Sequence, residues 1–175
     1  MKALVVYESL WGNTAAIAGA IARGIGPDAT ALPTGAATGP VLEGVDLLVV
    51  GAPVLGFRLG TDEMLQEIAT SERNAPSPPD LSQPSMRSWL DALPAGHAAF
   101  AAFETGLWWS PGGATGTISK KLAAAGYRAA GRPTRFVVKG RYGPLRDGEI
   151  ERAMRWGAEL TGAARPDRAS PEAQT

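Results

Sequence analysis

The chain contains no cysteine, which excludes disulfides, thiol chemistry and Cys-ligated zinc or iron–sulfur clusters. A single histidine, His97, argues against a typical zinc site. There is no excess of charge either. The 17 basic and 17 acidic residues cancel, which removes any global electrostatic attraction for nucleic acid or an anionic membrane. No stretch reaches the about 18 apolar residues of a membrane-spanning helix, and the amino terminus enters a strand directly, without a basic segment and signal-like apolar core. The expectation is a cytoplasmic protein with no membrane insertion. What is present is apolar material: 45% of the 175 residues, enough for one core. One domain is expected over residues 1–163, with a polar, Pro-bearing, disordered tail over 164–175.

The opening segment carries the most information. Ala3-Leu4-Val5-Val6-Tyr7 is an apolar, β-branched run and reads as a buried strand, while Ile17, Ala18, Ile21, Ala22 and Ile25 recur at the spacing of one helical face. Between them, Ser9, Leu10, Trp11, Gly12, Asn13 and Thr14 form a turn from a strand's carboxyl end to a helix's amino end. Unpaired N–H groups and the helix dipole make that a place where phosphate binds. Ser9 and Thr14 offer hydroxyls, Asn13 an amide, and Gly12 close backbone approach. No Lys or Arg lies in the turn, so it is not a P-loop, and the dinucleotide fingerprint is also missing. The same triplet also serves simply to turn the chain and cap a helix.

Strand and helix then alternate. Strands are expected at 28–32, 45–51, 98–103 and 134–139, and helices at 62–69, 86–93, 114–125 and 147–161, the last with Asp147 as its N-cap. Residues 70–85, with Pro76, Pro78, Pro79 and Pro84, read as an extended excursion. Such alternation implies a parallel sheet covered on both faces, whose ligands sit outside the strands' carboxyl ends. Two further strand-end loops are therefore of interest, at 51–57 and 104–109. They place Leu55, Phe57, Leu107, Trp108 and Trp109 where a ligand would lie. The tryptophans either flank a planar ring or pack beneath the following helix. Glu104 is read as a solvated loop acid or as a carboxylate near such a ring. His97 is a surface turn residue, Arg141 is one of several scattered basic positions near the last strand, and Glu149–Arg152 and Glu151–Arg155 are helix-surface pairs of small weight.

Taken together, Val5 to Thr14 resembles the strand and Thr/Ser-x-Thr-Gly-x-Thr phosphate loop of the flavodoxin family, and the resemblance extends over roughly Lys2 to Gly162. It implies a three-layer α/β/α sandwich with a five-stranded parallel sheet of order 2-1-3-4-5, of the short-chain type, binding flavin mononucleotide (FMN). On that implication Ser9, Leu10, Trp11, Gly12, Asn13 and Thr14 hold the phosphate. Pro53, Val54, Leu55, Gly56 and Phe57 face one side of the isoalloxazine, and Glu104, Thr105, Gly106, Leu107, Trp108 and Trp109 the other. Trp11 stands where the family motif has a second hydroxyl. The chain also lacks the strong acidity by which flavodoxins dock on basic partners. The expected role is electron transfer to a redox partner protein or a small-molecule acceptor. The alternatives are an NAD(P)H:quinone reductase on the same fold and a flavin-free binding module whose aromatic residues close the site.

Overall fold

The structure, a computed structural model, describes residues 1–164. The expected tail at 164–175 lies outside the described residues except for Ala164, which is buried against the core. Strand β1 (Ala3–Tyr7) leads into helix α1 (Asn13–Ile25), then β2 (Ala29–Pro33) and β3 (Leu47–Leu55). A short β4 (Arg58–Leu59) turns back on β3, followed by α2 (Asp62–Ser71) and α3 (Met86–Ala92). β5 (Ala99–Gly106), α4 (Thr115–Ala124), β6 (Arg128–Ala129), β7 (Thr134–Val137) and α5 (Glu149–Ala163) complete the chain.

Parallel pairing sets the order β2-β1-β3-β5, with β6 and β7 both on the outer side of β5. β6 pairs with Ala99 and Phe100, and β7 pairs with Phe103 to Gly106. The two are successive halves of one fifth strand, interrupted around Gly131 and Pro133, where proline has no N–H for the ladder. The five strand positions therefore run as expected, while β4 and the break make seven strands among the described residues.

The centre of the sheet is buried on both faces because β1, the first half of β3 and the first half of β5 are apolar at every position. Val5 and Val49 join Ile17, Ile21, Phe103, Phe136 and Leu160 beneath α1 and α5. Leu4, Val6, Leu48 and Val50 join Leu90, Ile118 and Leu122 beneath α3 and α4. Each such side chain contributes about 1.5–3 kcal/mol by leaving water. α1 and α5 pack at glycine: a Cβ on Gly24 would lie 2.0 Å from the Met154 carbonyl oxygen, and one on Gly157 2.3 Å from that of Ile21.

Two expectations about α5 are corrected. Its N-cap is Gly148, at φ 82, and not Asp147, whose carboxylate instead accepts from Lys139. Glu149 is not part of a surface pair. It is 2% exposed, accepting from the Val137 N–H at 2.7 Å and from Arg152. A left-handed glycine ends the turn without a side chain, which frees the Glu149 carboxylate to reach the sheet edge. Arg152 also lies 4.4 Å over the Phe136 ring and donates to the Arg135 carbonyl. Burial alone would raise the Glu149 carboxyl, but the bonds from Arg152, Val137 and Arg146 outweigh it and hold the group below its ordinary value.

Glu149→Gln is therefore expected to lower stability at pH 7 by on the order of 2 kcal/mol, read from urea unfolding. A carboxyl depressed in the fold contributes above its unfolded value of 4.5 and loses that contribution as pH falls through its folded value. The gap between wild type and variant should close in acid. A gap independent of pH would contradict the ionic role.

Candidate functional site

A cleft of about 410 Å³ opens at the carboxyl edge of the sheet, within the size range of small-ligand sites. Three chain segments leaving the strands build it. At one end is the turn after β1. Gly12 adopts φ 88 and is the N-cap of α1 without a side-chain cap. Its own N–H is taken by Ser9 Oγ at 3.1 Å. Among the described residues the N–H groups of Trp11, Asn13, Thr14 and Ala15 find no protein acceptor. Thr14 and Thr105 hydroxyls are buried and bonded at 2.8 Å, joining α1's first turn to the end of β5.

The second wall is not the loop expected at 51–57. β3 continues through Pro53, paired with Thr105, to Leu55, and the chain then reverses into β4 with Leu55 opposite Arg58. Pro53 is tolerated because its pairing on β5 ends there. Gly56 and Phe57 are the two turn residues, at φ 53 and φ 67, the left-handed pair of a two-residue hairpin. Phe57 is strained there, since a side chain disfavours positive φ. The surroundings hold it: its carbonyl accepts from Gly113 N–H at 2.9 Å, and Arg58 bridges Gly113.

The third wall is organised by a buried ion pair. Glu104, at 4% exposure, is neither a solvated loop acid nor a cleft residue. Its Oε1 accepts from Arg135 Nε at 2.6 Å, and its Oε2 from the N–H groups of Ala114 and Thr115 at 2.6 and 2.9 Å. The carboxylate thus caps α4 from the strand on which that helix packs. Arg135 gives three of its other donors to the carbonyls of Leu107, Ser110 and Gly112. One guanidinium therefore shapes the whole segment from 107 to 112.

Of the residues assigned to the site from sequence, all but three line this cleft. Gly12 shapes it through the backbone, Glu104 braces it from behind, and Trp108 is 74% exposed, away from the lining. Trp109 does line it, and so neither tryptophan packs beneath α4. Sequence reasoning missed Met64, Glu67, Ile68 and Ser71 of α2, and Ser110, Val138 and Arg141. The signal was topological, because α2 and the segment after β7 both leave the same sheet edge. His97 is exposed and takes no part in the lining, as expected.

The proline-bearing excursion also has a place. Trp11 Nε1 donates to the Ser77 carbonyl at 3.1 Å, and Asp80 N–H donates to the Leu10 carbonyl at 2.8 Å. Leu10 packs with Leu65 and Ile68. Residues 72–85 therefore back the turn after β1. Behind the same turn lies Glu8, buried, with Oε2 accepting from Met86 N–H and Oε1 unpartnered among the described residues. Burial pushes its carboxyl up, opposed by the Met86 bond and assisted by the charge of Asp62.

No family model matches the sequence, and no curated protein matches it. Solved structures do. A flavodoxin from the domain Archaea superposes with a TM-score of 0.65 at 22% identity, over 94% of this chain and 99% of that one. Flavodoxin 1 from Bacillus cereus gives 0.63 at 19%, over 93% and 98%. A WrbA-like flavodoxin protein from Agrobacterium tumefaciens gives 0.57 at 16%, over 94% and 97%. The chain has the flavodoxin-like fold. Among the described residues, no helix is long and apolar enough to cross a membrane.

Two variants test this construction. Glu104→Gln keeps the shape and removes the charge; it is expected to cost about 2–3 kcal/mol and to speed amide exchange across 107–115. Unchanged protection there would overturn the bracing role. Glu8→Gln should behave oppositely. A carboxyl whose folded value is raised opposes folding above that value, and the penalty is relieved as pH falls through it. The variant should therefore be more stable than wild type at pH 8 and lose that advantage toward pH 4. A wild type that is more stable than the variant at pH 8 would refute the account.

Proposed function

We propose that the protein binds FMN and transfers electrons through it, passing them to a redox partner protein or a small-molecule acceptor. The observation that carries this reading is the amino end of α1. Four N–H groups at the start of α1 without protein acceptors among the described residues lie, beside the Ser9 hydroxyl, at one end of a cleft whose other walls include Leu55, Phe57 and Trp109. An anion fits that end and a planar apolar ring those walls. The solved flavodoxins of the same fold support the reading.

Bound flavin would supply the one- and two-electron chemistry, and the chain's own task is to hold and tune it. Trp11, Asn13, Thr14 and Ala15 offer backbone donors to the phosphate. Gly56 and Gly106 allow the backbone to approach the ring closely. Residues 53–57 and 105–109 exclude water from its faces, and the Glu104–Arg135 pair keeps the second of these walls in place. Phe57, 54% exposed, and Trp108 leave an apolar rim at the mouth through which electrons reach a partner.

Titration with FMN is expected to quench flavin fluorescence and to give a saturable, perturbed yellow spectrum. Trp109→Ala should weaken binding roughly two- to tenfold, the worth of one lost stacking contact. NADH or NADPH with a quinone should show little turnover without a separate reductase. No spectral change at high micromolar FMN would sink the proposal, and rapid turnover would move it to the reductase reading.

A further inference from the structure

We infer that Arg141 reads the negative charge of the ligand, making the cleft selective for a phosphorylated flavin over its unphosphorylated counterpart; this rests on the FMN reading above. The turn from Glu8 to Thr14 contains no Lys or Arg, and Trp11 occupies a position where the resembling motif has a hydroxyl. A cation brought from elsewhere in the chain would supply what that turn lacks.

The backbone around Arg141 is pinned beside the open end of α1. Asn13 Nδ2 donates to the Tyr142 carbonyl at 3.0 Å, and the Tyr142 ring meets Trp11 edge-on at 4.8 Å between centroids. Gly143 approaches so closely that a Cβ there would lie 2.6 Å from Asn13 Oδ1. Arg141 itself lines the cleft, with its side chain 67% exposed.

The guanidinium is oriented without being used up. Glu72, buried at the carboxyl end of α2, accepts from Arg141 Nη2 and from the Tyr142 hydroxyl. Among the described residues Arg141 Nε and Nη1 have no acceptor. Glu72 is thus a positioning residue: it fixes one nitrogen of a rigid fork and leaves the others without a partner on a residue that lines the cleft. The bond to Glu72 raises the Tyr142 hydroxyl, which stays a protonated donor and shares the carboxylate's charge. A phosphate at α1 would then receive backbone N–H groups from one side and charge-assisted bonds from Arg141 on the other.

The test compares FMN with riboflavin, which differ at the phosphate, by fluorescence titration of wild type, Arg141→Gln and Glu72→Gln. Wild type should bind FMN more tightly than riboflavin. Arg141→Gln should lose about tenfold in FMN affinity with less than a twofold change for riboflavin, and the salt dependence of FMN binding should flatten. Glu72→Gln keeps a carbonyl acceptor to position Arg141 while removing the competing negative charge, and should leave FMN affinity equal or tighter. If instead both variants weaken both flavins alike, the pair is only a structural fastening and the inference falls. An unchanged ratio of FMN to riboflavin in Arg141→Gln also overturns it while leaving FMN binding intact. A wild type that binds neither flavin overturns the FMN reading and this inference with it.

Discussion

The cleft depends on the Glu104–Arg135 pair. An unpaired charge cannot be left buried at tolerable cost, so the buried Glu104 requires the partly exposed Arg135. Their side chains come from adjacent strands, β5 and β7, in register opposite each other. The pair also does more than neutralise itself. Glu104 holds the first N–H groups of α4, and Arg135 gathers three carbonyls between Leu107 and Gly112. Those bonds place Gly113 against Phe57, so the hairpin and the segment after β5 become one braced rim. A strained Phe57 persists because this rim over-determines it.

The treatment of the helix ends shows a division of labour. α2 and α3 are capped by Thr61 and Ser85 on their own N-cap side chains, and α4 is capped from outside by Glu104. α1 has no such cap, although Ser9, Asn13 and Thr14 are all residues able to supply one. Ser9 is turned to Gly12, Asn13 to Tyr142, and Thr14 to Thr105. Side chains that could satisfy the helix are committed to holding its surroundings, which leaves its first N–H groups without protein acceptors among the described residues.

The architecture was legible because a parallel sheet buried on both faces writes itself as short apolar runs. The run at 3–7 matches β1, while those at 45–51 and 98–103 locate β3 and β5 but stop short of their ends at Leu55 and Gly106, where the residues turn polar or proline interrupts. The ligand edge was legible for the same reason, since it follows from strand order. What stayed hidden depended on long-range partners. Glu104 reads as an exposed acid until Arg135, 31 residues away, is seen beside it. Glu149 reads as a helix-surface acid until the Val137 N–H at the sheet edge claims it. Pro53 suggests a strand's end, yet the strand passes through it because that residue's pairing is on one side only. Asp147 lost the N-cap to a glycine whose positive φ no propensity scale ranks above a carboxylate.

Trp11 shows how one substitution changes the construction around it. The turn carries an indole, whose N–H and ring need partners beyond the turn itself. It finds them in the Ser77 carbonyl and the Tyr142 ring, which lie on two different segments. Those contacts draw residues 72–85 behind the turn and the segment after β7 across its front. Where the resembling motif has a hydroxyl, this chain has a side chain that ties two neighbouring segments to the turn. That tie also explains the position of Arg141, because the contact that fixes Tyr142 fixes its neighbour. The residue that departs most from the resembling motif is thus the one that brings a cation to the cleft's edge.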